Sequence, residues 1–426
     1  MNIFKSLTSL ADQWIFQRWP SLTNSFALLS EPSYTGKDID ERKANNCSVV
    51  WACQRVISDP VGMLPLHLYR RIGDDERVRD RANPLYRLLH DAPNPRMPAI
   101  VFRQTLQAAA LTWGNGYARI VRRSSGDRAP LELWPIKSDR IGPIVEDDGR
   151  TMYYRVRTKE GNVNLPFDDV LHIPGLGFDG IAGESVISLA RNSIGLDMAA
   201  LEYGGRFFAR GGRVPYVLKH PSRFKSTKEF DEWSLDWEGK YRDPHRAVIL
   251  EGGLEYQQIG YKPEDAQLLA TRKFSVEEIC RWFLVYPFEV GDMSRANFSN
   301  IEQLTIDRIF HTVGYWLKLW EEQIWLRLLP ESMKDTHYVE FDRNAILMGD
   351  FETRMRGYST ALQNGFMNAD TVCARENLPK LPNGGGSAYH IQMNMQTVPG
   401  TGEPTAIERA ALARADAAAV KKAQGG

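Results

Sequence analysis

His172 has the surroundings in this 426-residue chain that come nearest to acid–base machinery. It stands in DDVLHIPG, with Asp168 and Asp169 just before it and Asp179 shortly after, in GLGFDG. A general base needs a carboxylate to orient it, so these residue types in one stretch are what a hydrolase would require. Two features favour a structural histidine instead. No nucleophile on a glycine-rich elbow accompanies it, and the pattern from Asp168 to Leu171 reads as the start of a strand. Metal chemistry has even less to work with. The eight histidines form no HxH or HxxxH pair, and the four cysteines, Cys47, Cys53, Cys280 and Cys373, lack CxxC spacing. They read as reduced, buried thiols, and no metal or cofactor is expected. Glycine-rich stretches occur at 114–116, 175–180, 211–212 and 384–386, and none runs into Lys-Ser/Thr and a helix, as a phosphate loop would. GLGFDG has GxGxxG spacing, but no crossover unit with an acid some twenty residues on follows it, so its glycines read as turn residues.

Three groups suit contact rather than catalysis. In GGRFFARGGR, Arg206, Arg210 and Arg213 interleave with Phe207 and Phe208; together with ARIVRR at 118–123 they could hold a phosphate backbone, but arginines and aromatics equally favour a subunit interface, the preferred reading. Phe230, Trp233, Trp237 and Tyr241 share one face of a short helix in an insertion too small to bury them fully, so core and interface compete there. The third group is YPFEVGDMSRANFSN, residues 286–300, a polar, turn-rich stretch between two helical patterns.

The elements that position these groups follow from periodicity. Val49, Ala52, Cys53, Val56 and Ile57 recur at three and four, predicting a buried helix face that ends near Pro60. A strand over LPLHLYRR, a helix from about 98 to 112 and a Gly-Asn-Gly turn come next. Apolar–polar alternation from 130 to 174 then predicts a run of antiparallel strands. From 183 the pattern turns helical to about 210. A compact helix over STKEFDEWSLDWEGKYR and a hairpin over AVILEGGLEYQQIGY follow. The helix opening at PEDAQLL carries capping-box spacing at Ser275 and Glu278, suggesting a break and restart there. Ser299 and Glu302 repeat that spacing before an apolar stripe from Ile301 to Leu328, a helix of about 28 residues or ~42 Å. Two shorter helices separated by NGFMNAD precede an Ala-rich tail. Acids and bases balance at 53 each, so any DNA contact should be local or transient, since a free-standing nucleic-acid binder shows a basic excess. No stretch reaches the ~18 uncharged apolar residues of a membrane span.

Taken in order, the pieces from about 45 to 380 resemble the portal proteins of tailed bacteriophages, the family typified by phage HK97. The resemblance rests on SVVWACQRVISDPVGMLPLHLYRR, NPLYRLLHDAPNPRMPAIVFRQTLQAAALTWGNGYARIVRR, DDVLHIPG with GIAGES, ILEGGLEYQQIGYKPEDAQLLATRKFSVEEICRWFLVYPFEVGD and LQNGFMNADTVCARENLPKLPNGG. It implies an α+β subunit with a mixed wing, helical stem, small α/β clip, long wing helix and helical crown. The parts would be an arm at 1–36, wing at 37–182, stem helices at 183–212 and 263–284, and clip at 213–262. A tunnel loop at 285–300, the long wing helix and following strand at 301–349, crown at 350–398 and flexible tail at 399–426 complete the chain. It implies a ring, typically of twelve subunits, at one capsid vertex of the virion, assembled in the host cytoplasm. Double-stranded DNA would pass through its channel without sequence specificity. Large terminase, the major capsid protein and head-tail connector proteins would dock on it. Tyr286, Pro287, Phe288, Glu289, Asp292, Met293, Ser294, Arg295 and Asn297 would then line the channel, without a catalytic role. The alternatives are another ring-forming head or tail component, or a soluble hydrolase using His172.

Overall fold

Buried side chains at Val50, Cys53, Gln54, Ile57, Ser58 and Val61 mark the inner face of the first long helix, α1 (Ser48–Met63). The computed structural model describes residues 33–390 apart from 74–75, 125, 147, 210–215, 222–223, 242–249, 251–252, 259–267, 294–308, 344–350 and 377. The helix α1 does not end at Pro60 as expected; it runs through it to Met63. Arg103 caps the far end with its guanidinium. Its Nε donates to the Val61 carbonyl (3.2 Å), and its Nη2 to those of Gly62 (2.7 Å) and Leu64 (3.1 Å). A helix's last carbonyls lack intrahelical donors, and these bonds satisfy them.

Strands β1 (Leu66–Ile72) and β2 (Glu76–Arg79) follow, then α2 (Pro84–His90) and α3 (Ala99–Trp113). Next come β3 (Asn115–Arg122), β4 (Pro130–Ile136), β5 (Ile141–Val145), β6 (Met152–Thr158), β7 (Gly161–Pro166) and β8 (Val170–Pro174). All pair antiparallel, as the alternation predicts, in sheets ordered β4-β3-β8 and β5-β6-β7. Helices α4 (Val186–Leu189) and α5 (Arg191–Ala209) lead to β9 (Tyr216–Lys219), α6 (Thr227–Tyr241) and β10 (Glu255–Gln258). Strand β10, the downstream half of the expected hairpin, pairs with β9, Glu255 opposite Lys219, and most of the upstream half lies outside the described residues. Helix α7 (Leu268–Phe283) is continuous through Ser275. Instead of capping a restart, the Ser275 hydroxyl donates to the Thr271 carbonyl one turn back (3.0 Å), a bond this side chain makes equally well inside a helix.

The stripe expected from 301 is described from 309 on, and it is not uniformly α-helical. A π-helical turn (Ile309–Val313) precedes α8 (Gly314–Leu328). Strand β11 (His337–Phe341) then returns to the first sheet, ordered β11-β1-β2, with Leu66 opposite Phe341. Leu317, Trp320, Ile324 and Leu328 of α8 are buried in the main core with Phe102, Leu106, Leu68 and Ile173. The Trp320 indole N–H donates to Gln107 Oε1 (2.9 Å), so the largest buried ring also has its polar atom satisfied.

The chain divides into two units, residues 1–347 and 348–426. The second contains α9 (Phe351–Gln363) and α10 (Ala369–Arg375), and of the expected separator NGFMNAD the last two residues open α10. Asn368 Oδ1 caps α10 by accepting from the Thr371 N–H (2.9 Å), and Arg354 of α9 pairs with Glu376 (3.2 Å).

Candidate functional site

His172 lies on β8, and the neighbours that define it are not the carboxylates the sequence suggested. Its Nδ1 is 3.1 Å from the Tyr154 hydroxyl and its Nε2 is 2.9 Å from Asn115 Oδ1. Asn115 is oriented in turn, since its Nδ2 donates to the Gly183 carbonyl and its Oδ1 accepts from the Gly183 N–H, both at 2.8 Å. With Oδ1 the acceptor, the imidazole carries its proton on Nε2 and takes the tyrosine O–H on Nδ1. The ring is buried against Tyr117, stacked at 4.4 Å between centroids, and burial pushes its pKa down to about 3. A buried, neutral imidazole with both nitrogens occupied by protein partners presents neither nitrogen to a substrate. Asp169 pairs with Arg122 and Arg128, Asp168 is exposed near Arg327, and Asp179 Oδ1 accepts from the N–H groups of Ile181 and Ala182. These acids do not assemble around His172.

The same network holds the glycine-rich turn. Gly114 has φ +78°, and a Cβ there would meet the backbone of Gly183 and Glu184. Close approach of two backbone segments explains these glycines without a phosphate.

The stretch beginning at Tyr286 is more ordered than expected. Helix α7 ends at Phe283, and Leu284 takes a left-handed conformation (φ 54°) while 71% exposed. The Val285 N–H donates back to the Cys280 carbonyl (3.0 Å), and Val285 is buried. Residues 287–290 form a short 3₁₀ turn that starts with Pro287. The Glu289 carboxylate accepts from the Tyr286 N–H (3.2 Å), and the Glu289 N–H donates to the Tyr286 carbonyl (3.0 Å). Gly291 (φ +92°) closes the turn, and the Asp292 N–H donates to the Pro287 carbonyl (3.0 Å). Tyr286 stacks on Phe288 at 5.9 Å, and Val290 packs on the core cluster that contains α1 residues. The Thr312 hydroxyl donates to the Leu284 carbonyl (2.7 Å), tying the turn to the helix that follows. Residues 286–292 are therefore a docked turn and not a free loop. Gly291 and Met293 are exposed at its end. Between Tyr286 and Met293 there are two acids, Glu289 and Asp292, and no base. Ser294, Arg295, Asn297 and the capping pair Ser299 and Glu302 lie outside the described residues.

Of the interface candidates, Arg206 pairs with Glu202 one turn back, which also meets Lys37, and Phe207 packs edge-to-face on Phe208. Phe208 is 74% exposed. Arg210, Arg213 and the Tyr241 side chain lie outside the described residues. On α6, Trp233 stacks on Trp237 at 5.9 Å, and Phe224 lies 5.5 Å from Trp233 and 5.3 Å from Phe230. His220 closes the cluster, 4.7 Å from Phe224. The aromatic face is thus partly covered by its own insertion, through His220 and Phe224, which helical periodicity could not reveal because they precede the helix. Phe230 keeps 47% of its surface open and Leu235, on the other side of α6, 70%.

Residues 48–377 match the family model described as phage portal protein. The chain is 29% identical over 362 residues to the portal protein of Enterobacteria phage HK97, covering 84% of this chain and 84% of that one. Among solved structures it is similar to a chain in the neck of an empty gene transfer agent particle computed with C6 symmetry. The TM-score is 0.56 at 17% identity, covering 87% of this chain and 100% of the other. A chain in the neck of the native particle, computed with C12 symmetry, gives 0.54 at 18% identity, covering 84% and 95%.

Proposed function

The chain belongs to the phage portal protein family, and from that premise we propose that it works as one copy of a closed ring at a single capsid vertex, through which double-stranded DNA enters and leaves. The observation that carries this is the family match across residues 48–377, together with a likeness to the HK97 portal that spans most of both chains. The sheets built from β1–β8 and β11, with α8, form the wing, α5 and α7 the stem, the β9–α6–β10 insertion the clip, and α9 with α10 the crown. Terminase, the capsid protein and the connector proteins dock on that ring in the assembling particle. We assign no catalytic step to the chain, and the buried, neutral His172 supports that assignment.

The turn at 286–293 is the channel contact in this reading. It follows directly from a stem helix, is fixed at its base by Glu289, Val290 and Thr312, and ends on exposed Gly291 and Met293. A fixed base with a short exposed end suits a surface that a duplex slides past.

The test is mass. Twelve chains of 48.4 kDa come to about 580 kDa, so native mass spectrometry or mass photometry of the purified chain should show a species near that value. Particle images should show a ring with a central hole. A monomer or small oligomer at every concentration and salt tried would overturn the ring assignment.

A further inference from the structure

Cys53 of α1 and Cys280 of α7 are buried with their Sγ atoms 3.9 Å apart, although 227 positions separate them in the sequence. Both belong to the core cluster that contains Val50, Ile57, Ile279 and Phe283. A disulfide requires the sulfurs to close to about 2.05 Å, an approach of about 2 Å that small rotations of two side chains on facing helices can supply. The other two thiols are placed differently. Cys47 directs its S–H at Asp197 Oδ2 (3.4 Å), and Cys373 belongs to the second unit.

We propose that Cys53 and Cys280 are a latent cross-linking site, which a small oxidant converts to an intrachain disulfide stapling α7 to α1. The geometry of the pair carries this, and it holds whether or not the chain closes into a ring. With a diazene dicarboxamide as oxidant the step balances. One thiolate adds to the N=N bond, and the second attacks the sulfur so joined and displaces the reduced hydrazine. The two thiols lose two electrons and two protons, and the hydrazine gains both. The charged groups nearest the pair are acids, Glu289 and Asp292 of the 286–292 turn and Glu277 of α7. The hydrogen bond to Cys280, and then burial, hold Cys53 as a thiol well above the ordinary range, while the same bond pulls Cys280 down and makes its sulfur the readier thiolate. Both sulfurs are buried, so the oxidant reaches them only through local opening and the cross-link forms slowly, faster as pH rises because the thiolate is the attacking species.

The experiment uses the intact purified chain, incubated with diamide at mildly alkaline pH, alkylated and digested with trypsin. The expected product links peptide 44–55 to peptide 274–281. Because peptide 44–55 contains both Cys47 and Cys53, fragment ions and the Cys47→Ser variant assign the sulfur. The link should persist in Cys47→Ser and vanish in Cys53→Ser and Cys280→Ser. The oxidised wild-type chain should also gain a few degrees in thermal midpoint, reversed by dithiothreitol, since a cross-link between distant positions restricts the unfolded chain. Full alkylation of both cysteines after prolonged oxidation would overturn the proposal, and so would a link running through Cys47 or Cys373. Wild-type mass spectrometry decides the matter even if a serine variant fails to fold.

Discussion

Arg103 shows how a charged residue becomes structural in this protein. Its guanidinium is buried, donates to the carbonyls of Val61, Gly62, Leu64 and Leu89, and has its pKa pushed down to about 10 by burial. It stays charged at neutral pH and joins α1 to α3. His172 solves the same problem by staying neutral, and that has a measurable sign. Its folded pKa of about 3 lies below the ~6.5 of an unfolded histidine. Above pH 6.5 neither state is protonated and the group contributes no pH dependence. Below it the unfolded chain takes up a proton that the folded one refuses, so stability falls as pH drops toward 3, by about 1.4 kcal/mol per pH unit. Burial pushes His67 down too, to about 4, and it acts in the same direction. Urea unfolding at pH 7, 6 and 5 should show this loss. His172→Gln should be less stable at pH 7 but have a visibly shallower slope. An unchanged slope would mean that His172 takes up a proton as readily in the folded chain as in the unfolded one, returning it to the list of candidate acid–base groups. The sequence marked His172 as worth explaining, but its partners Tyr154 and Asn115 lie 18 and 57 positions away, which no local pattern could indicate.

At the level of elements, what was legible in the sequence is what depends on neighbours along the chain. The alternation of β4 to β8 and the three- and four-residue stripes of α1, α5 and α8 follow from local periodicity. What the sequence hid depends on groups that a local rule does not see. A carboxylate, a valine packed on the α1 cluster and the hydroxyl of Thr312 turn 286–292 from apparent loop into a docked turn. Leu284 is the exception that points outward. A branched, apolar residue at φ 54° with 71% of its surface exposed carries two local disadvantages at the junction of α7 and the turn. A left-handed conformation costs a non-glycine residue about 1 kcal/mol. Leu284→Gly should therefore stabilise the isolated subunit by up to about 1 kcal/mol, less the extra entropy of the unfolded glycine. If the leucine is kept for a contact between copies, the same variant should shift ring assembly to higher protein concentration. Denaturant unfolding and dilution mass photometry measure the two effects separately. Stabilisation with unchanged assembly would show that the side chain touches no partner.

For the whole molecule, the balance of 53 acids and 53 bases bears on how a channel built from it treats DNA. A protein that neutralises many phosphates releases counterions, and its affinity falls steeply with salt, with a logarithmic slope near −0.9 per phosphate contacted. A duplex that must slide cannot be held by many such contacts. The assembled wild-type ring should therefore bind a labelled duplex weakly, with a shallow slope corresponding to roughly two phosphates or fewer. The docked geometry of the turn decides which charges to alter. Glu289 caps the Tyr286 N–H, so replacing it would loosen the turn as well as change its charge. Asp292 and Met293 lie beyond that cap. Asp292→Lys with Met293→Lys adds two charges and one, three per copy, while Glu289 stays in place. Ring mass should be unchanged, and fluorescence anisotropy across a salt series should show tighter binding with a steeper slope. In a packaging assay the same rings should stall or fill incompletely, because the added contacts must be broken at each step. Intact variant rings with wild-type slope and wild-type packaging would place the turn away from the DNA. Rings that fail to form would place it between subunits instead.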